Sequence, residues 1–130
     1  MASILKVDEM QGVTSAGDIT ITGEGGSATM QLQQGLCKAW HKATDSATIN
    51  ESFNISSASD QGTGNYDYSF TNNMSNTDYS LTCSGSYAEI AEPEQGNTTA
   101  SQYTVRTFGR QDSLTNADQR QSAQIAGDLA

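Results

Sequence analysis

From Leu36 onward, apolar and polar residues tend to alternate, the period-two pattern of strands that bury one face. Tyr66, Tyr68, Phe70 and Met74 form the cleanest stripe, interleaved with Asp67 and Ser69. After the turn residues Ser75-Asn76-Thr77-Asp78, a second stripe of Tyr79, Leu81 and Cys83 alternates with Ser80, Thr82 and Ser84, and the two stripes predict a hairpin. Leu36 and Trp40 are placed on one face across Lys38, Phe53 and Ile55 on another. Tyr103 and Val105, with Phe108 following, and finally Ala123 and Ile125, continue the series to Gly127. Helical spacing is hinted only between Ala117 and Ile125. Breaks at Asp60-Gln61-Gly62-Thr63-Gly64-Asn65 and Gly96-Asn97 recur at the spacing of roughly ten residues expected for an all-β sandwich or barrel.

Residues 1–35 have a different texture. Short apolar groups (Ile4, Leu5, Val7; Ile19, Ile21; Met30, Leu32) are separated by turn clusters such as Ser15-Ala16-Gly17-Asp18 and Gly23-Glu24-Gly25-Gly26-Ser27. Such brief stripes cannot make a core, since even a lone hairpin is marginal in water. The chain therefore divides into an extended N-terminal β arm over 1–35, serving attachment or trimerisation, and an antiparallel β-sandwich-like knob over 36–130 that holds all the aromatic residues.

Composition sharpens this picture. Hydrophobic residues make up 35% of the 130, so the core is thin, and neighbouring copies of the chain are expected to complete it. Ser, Thr, Asn and Gln outnumber charged residues more than twofold, unlike the dense charge of disordered chains. Net charge is −9, and the six cations Lys6, Lys38, Lys42, Arg106, Arg110 and Arg120 are scattered, which argues against nucleic acid as a partner. No apolar run approaches the length of a membrane helix, so membrane insertion is not expected. The opening Met1-Ala2-Ser3-Ile4-Leu5-Lys6-Val7-Asp8 lacks the basic start and apolar stretch of a secretory signal, which points to synthesis and assembly in a cytoplasm. There, Cys37 and Cys83 are not expected to pair. The Asn-x-Ser/Thr triplets at Asn50, Asn54, Asn73 and Asn97 read as chance in a chain this rich in those residues, and Glu89-Ile90-Ala91-Glu92-Pro93-Glu94-Gln95 reads as an exposed acidic loop.

Catalytic chemistry has little to build on. His41 is the only imidazole, and beside Trp40 and Lys42 on a strand it reads as a packed or solvated residue rather than a general base. Cys37, His41 and Cys83 make three potential zinc ligands where a protein-only site wants four. Gly62-Thr63-Gly64 lacks the Lys and the strand-to-helix setting of a phosphate loop and reads as turn chemistry. No two acids are singled out for glycoside hydrolysis. No catalytic, cofactor-binding or metal-binding residue is assigned, and the chain is read as non-enzymatic.

An ordered series of segments carries a resemblance. Ser3-Ile4-Leu5-Lys6-Val7-Asp8, Leu36-Cys37-Lys38-Ala39-Trp40, Glu51-Ser52-Phe53-Asn54-Ile55-Ser56-Ser57 and Asp60-Gln61-Gly62-Thr63-Gly64-Asn65-Tyr66 together resemble small tail-fibre-like surface proteins of tailed bacteriophages, particularly marine ones. The chain departs from that pattern at His41-Lys42-Ala43-Thr44-Asp45-Ser46, where a Gly-rich turn is expected, and in the acidic stretch 88–98. The resemblance implies a virion component, commonly trimeric, docked on other capsid or tail proteins through residues 1–35 and displaying its knob. It would serve as a tail fibre, head fibre or capsid decoration that aids host adsorption or stabilises the capsid. A host surface receptor or glycan is a further partner it admits. Two alternatives stand beside it, a small glycan-cleaving depolymerase of the tailspike type and a monomeric binding domain.

Overall fold

The computed structural model describes residues 4–13, 19–23, 25–86, 90–109 and 115–130. The turn expected at Ser15-Ala16-Gly17-Asp18 and part of the acidic stretch, Glu89 included, lie outside these residues. The protein is all-β, with antiparallel sheets and two single turns of 3-10 helix at Gln33–Gly35 and Gln95–Asn97. It divides into two compact units, Met1–Leu36 and Cys37–Ala130.

In the first unit, strands β1 (Thr20–Thr22) and β2 (Thr29–Gln31) form a two-stranded hairpin. Ile21 stands opposite Met30 in the register, and both are exposed. No described residue of this unit is buried, while Ile4, Leu5, Val7, Met10 and Val13 all present apolar side chains to solvent. The described residues of this unit thus enclose no apolar core.

The second unit contains two four-stranded antiparallel sheets. One, the β3 sheet, has the order β4 (Ile49–Phe53), β3 (Ala39–Ala43), β10 (Gln121–Ala126), β7 (Ser80–Gly85). The other, the β6 sheet, has the order β5 (Ile55–Asp60), β6 (Asn65–Phe70), β9 (Gln102–Phe108), β8 (Ile90–Pro93). Ala39, Ala43, Ala123 and Ile125 from the first sheet and Tyr66, Tyr68, Phe70, Tyr103 and Val105 from the second meet in one buried cluster with Met74. Small residues on one sheet thus face large aromatics on the other, which lets a modest number of apolar side chains fill the space between them. This unit encloses a core of its own, so the apolar surface still in need of cover lies chiefly in residues 4–36.

The chain passes from one sheet to the other in a single residue. Asn54, between β4 and β5, has φ +57°, a left-handed conformation that Asn adopts more readily than most residues. Its side chain fixes the corner: Nδ2 donates to the carbonyls of Lys38 and Asn72, both at 3.0 Å, and Oδ1 accepts the Asn72 N–H at 2.7 Å. Replacing Asn54 by Ala removes these bonds and puts at a left-handed position a residue that tolerates it less well than Asn, an expected loss of about 2–3 kcal/mol. The corresponding fall in the thermal midpoint, read by circular dichroism, is about 10 °C or more. An unchanged midpoint would show that the corner is held elsewhere.

Several sequence expectations are corrected. The stripes at 66–74 and 79–83 are not a hairpin: β6 pairs with β5 and β9, and β7 pairs with β10 in the opposite sheet. Trp40 does not join an inward stripe, because Ala39, His41 and Ala43 take the inner face of β3. The helical hint at Ala117 to Ile125 gives way to strand β10, where Gln121, Ala123 and Ile125 alternate inward. Most of the described acidic loop is strand β8, and Pro93 fits there because an edge strand can spare an N–H.

Candidate functional site

His41 lies within the core, only 1% exposed. Its ring stacks on Tyr68 with centroids 3.8 Å apart, and Nδ1 shares a 2.6 Å hydrogen bond with the Tyr103 hydroxyl. Burial holds its pKa down at about 4, so it is neutral at pH 7. Gln121 completes the polar layer by donating from Nε2 to the Tyr68 hydroxyl at 2.8 Å. His41 Nε2 and Gln121 Oε1 are both buried with no partner. A neutral imidazole held between two phenols and almost wholly buried is a packing element, although His41 also borders a hollow on the outer face of its sheet.

The two cysteines sit apart from each other. Cys83 faces inward on β7, separated from His41 by Ala123 in the strand register, and burial pushes its thiol up to about 12. Cys37 is exposed ahead of β3, its Sγ donating to the Ala39 carbonyl at 3.1 Å. Among the described residues, no group of three or more His, Cys, Asp or Glu side chains is placed to hold a metal ion. Gly62-Thr63-Gly64 forms the β5–β6 turn, where the Gly62 N–H is accepted by Asp60 Oδ1 at 2.9 Å and the Gly64 N–H by Asp118 Oδ1 at 2.7 Å.

The outward face of the β3 sheet is the more promising surface. Because Ala39, His41 and Ala43 turn inward, Trp40 and Lys42 turn outward, and the register sets Phe53 beside Trp40. Phe53 is 53% exposed, the one large hydrophobic of this unit left in solvent among the described residues. On the other side of β3, two shallow hollows of about 300 and 380 Å³ share Lys42, Ser84 and Ser122 and so run into one trough over β10. Trp40 and Gln124 line one end, Arg120 the other. On its floor the hydroxyls of Ser84 and Ser122 bond to each other at 2.8 Å.

Sequence reasoning missed this surface because it assigned Trp40 to a buried face. The signal available was Ala39 and Ala43, small residues flanking His41 at period two. Comparison of the chain with protein-family models, curated proteins and solved structures finds no match.

Proposed function

We propose that the protein is a structural subunit of a phage-like particle, displayed on the particle surface as a homotrimer, with residues 1–35 anchoring it to other particle proteins and residues 36–130 forming a sandwich-like knob. The observation that carries this reading is the distribution of exposed apolar side chains. Of the nine large ones exposed among the described residues, seven lie within residues 1–35 and an eighth, Leu36, stands at the boundary. Each is worth roughly 1.5–3 kcal/mol when covered, so an arm that leaves them in water gains most by docking. The knob, in contrast, has a closed aromatic core. The sequence resemblance to tail-fibre-like phage proteins supports the same division. Two placements fit it, a tail fibre that meets the host and a head fibre or decoration that reinforces the capsid.

The test is incorporation into particles that lack the protein, comparing the full chain with one that begins at Gly35. The shortened chain should keep its β-sheet circular dichroism and its melting transition but fail to pellet with particles. Normal incorporation would overturn the anchor assignment, and an unfolded shortened chain would place the arm in the core of the assembly instead. Copy number separates the placements: hundreds for a head decoration, a few dozen or fewer for a fibre.

A further inference from the structure

Acids outnumber cations fifteen to six in this chain, so a hollow without carboxylates stands out. Among the described residues no Asp or Glu lines the trough over β10, yet Lys42 and Arg120 both do. Neither forms an ion pair among the described residues. Glu51 stands opposite Lys42 in the register, but on the β4 side of β3, away from the trough. From Gln124, beside Trp40, to Arg120 the strand advances four residues, roughly 13 Å.

This combination fits one ligand chemistry. An aromatic ring beside a groove takes the apolar C–H face of a sugar, the serine and threonine hydroxyls and the Gln124 amide match sugar hydroxyls, and the two cations match acidic substituents. A copy-to-copy contact fits less well, since the centres of protein interfaces are depleted of charge, whereas here Lys42 sits mid-trough. Nucleic acid would need a basic stripe, and two cations on a strongly acidic chain do not make one.

We propose that this trough binds an acidic polysaccharide, with one sugar ring against Trp40 and carboxylate or sulfate groups reaching Lys42 and Arg120. The site stands on residues 37–130 alone and holds whether or not the chain is trimeric or anchored by its arm.

Trp40 is the sole tryptophan of the chain, so its fluorescence reports on the trough directly. The full-length protein is titrated with oligogalacturonate, with a sulfated heparin oligosaccharide, with neutral maltohexaose and with a poly-glutamate peptide. At least one acidic sugar should change Trp40 emission saturably, and the effect should weaken as salt rises from about 0.02 to 0.5 M, as expected for exposed charges. Lys42→Gln combined with Arg120→Gln should weaken binding about tenfold, in line with the loss of two exposed charge contacts at low salt. Ser122→Trp, which fills the trough without removing a contact from the core, should abolish it, read by calorimetry because it adds a second tryptophan. Thermal midpoints of the variants establish that they are folded. Absence of binding at millimolar sugar, equal binding of maltohexaose, equal binding of poly-glutamate, or affinity unchanged in both variants would each overturn the proposal. So would a Trp40 shielded from acrylamide quenching in the full-length assembly, which would give this face to a second copy.

Discussion

Lowering the pH from 7 to 4 is expected to remove about 3 kcal/mol of stability through His41 alone. In the unfolded chain the imidazole takes up a proton near 6.5, whereas in the folded protein burial delays this to about 4. Between those values the unfolded state binds the extra proton, so stability falls as pH drops from 6.5 to 4, and below 4 this source of loss ends. The groups facing His41 do not offset it. Tyr68, Tyr103 and, across Ala123, Cys83 are neutral throughout this range, their ionisation opposed by burial, and Gln121 carries no charge. Protonation would also leave a charged Nε2–H in the core without an acceptor. Urea unfolding at pH 7, 5.5 and 4 measures the effect, with His41→Phe as comparison. The variant should lose less stability than the parent over that interval by about 3 kcal/mol, whatever its stability at pH 7. Equal pH dependence in the two proteins would mean that His41 is more solvated than its 1% exposure implies.

Gly64→Ala should cost still more, about 3–4 kcal/mol, because it combines backbone strain with overpacking. Gly64 has φ +67°, and a β-carbon there would run into the Thr107 carbonyl oxygen and stand 2.8 Å from Ala117 N. Those are backbone atoms, and they cannot swing aside. The same close approach carries the Gly64 N–H to Asp118 Oδ1, which also accepts a 3.2 Å bond from the Tyr66 hydroxyl. Tyr66 is itself buried, and desolvation first, then the Asp118 charge, pushes its phenol up to about 12. Displacing this turn therefore disturbs the core at Tyr66 as well. Gly96→Ala is the control: open space surrounds that position and its φ is ordinary. Chemical denaturation should show the first variant severely destabilised and the second nearly unchanged. Similar midpoints for both would show that the β5–β6 turn yields easily.

Much of the fold was legible where one strand buries one face. Tyr66, Tyr68 and Phe70 alternate with polar residues and form the inner face of β6, and Tyr103 and Val105 do the same on β9. What misled was alternation that continued across a break. Phe53 and Ile55 read as one stripe, yet the left-handed turn at Asn54 sends them to different sheets, Phe53 outward and Ile55 against the core. Pairing was hidden for a related reason. Turn residues between 75 and 78 suggest a hairpin, but the chain uses them to cross from the β6 sheet to the β3 sheet, and local sequence does not mark which strand a segment joins. At β3 the hydrophobic scale itself pointed the wrong way. His41 is buried because aromatic stacking and a phenolic hydrogen bond replace water, while the more apolar Trp40 remains at the surface.

The exposed apolar side chains from Ile4 to Leu36 are expected to be covered by association, with several copies of the chain forming the functional unit. Sedimentation equilibrium of the full-length protein at micromolar concentration tests it most directly. A homotrimer gives a single species with three times the chain mass of 13.8 kDa. A stable species of 13.8 kDa, with no tendency to associate as concentration rises, would contradict it.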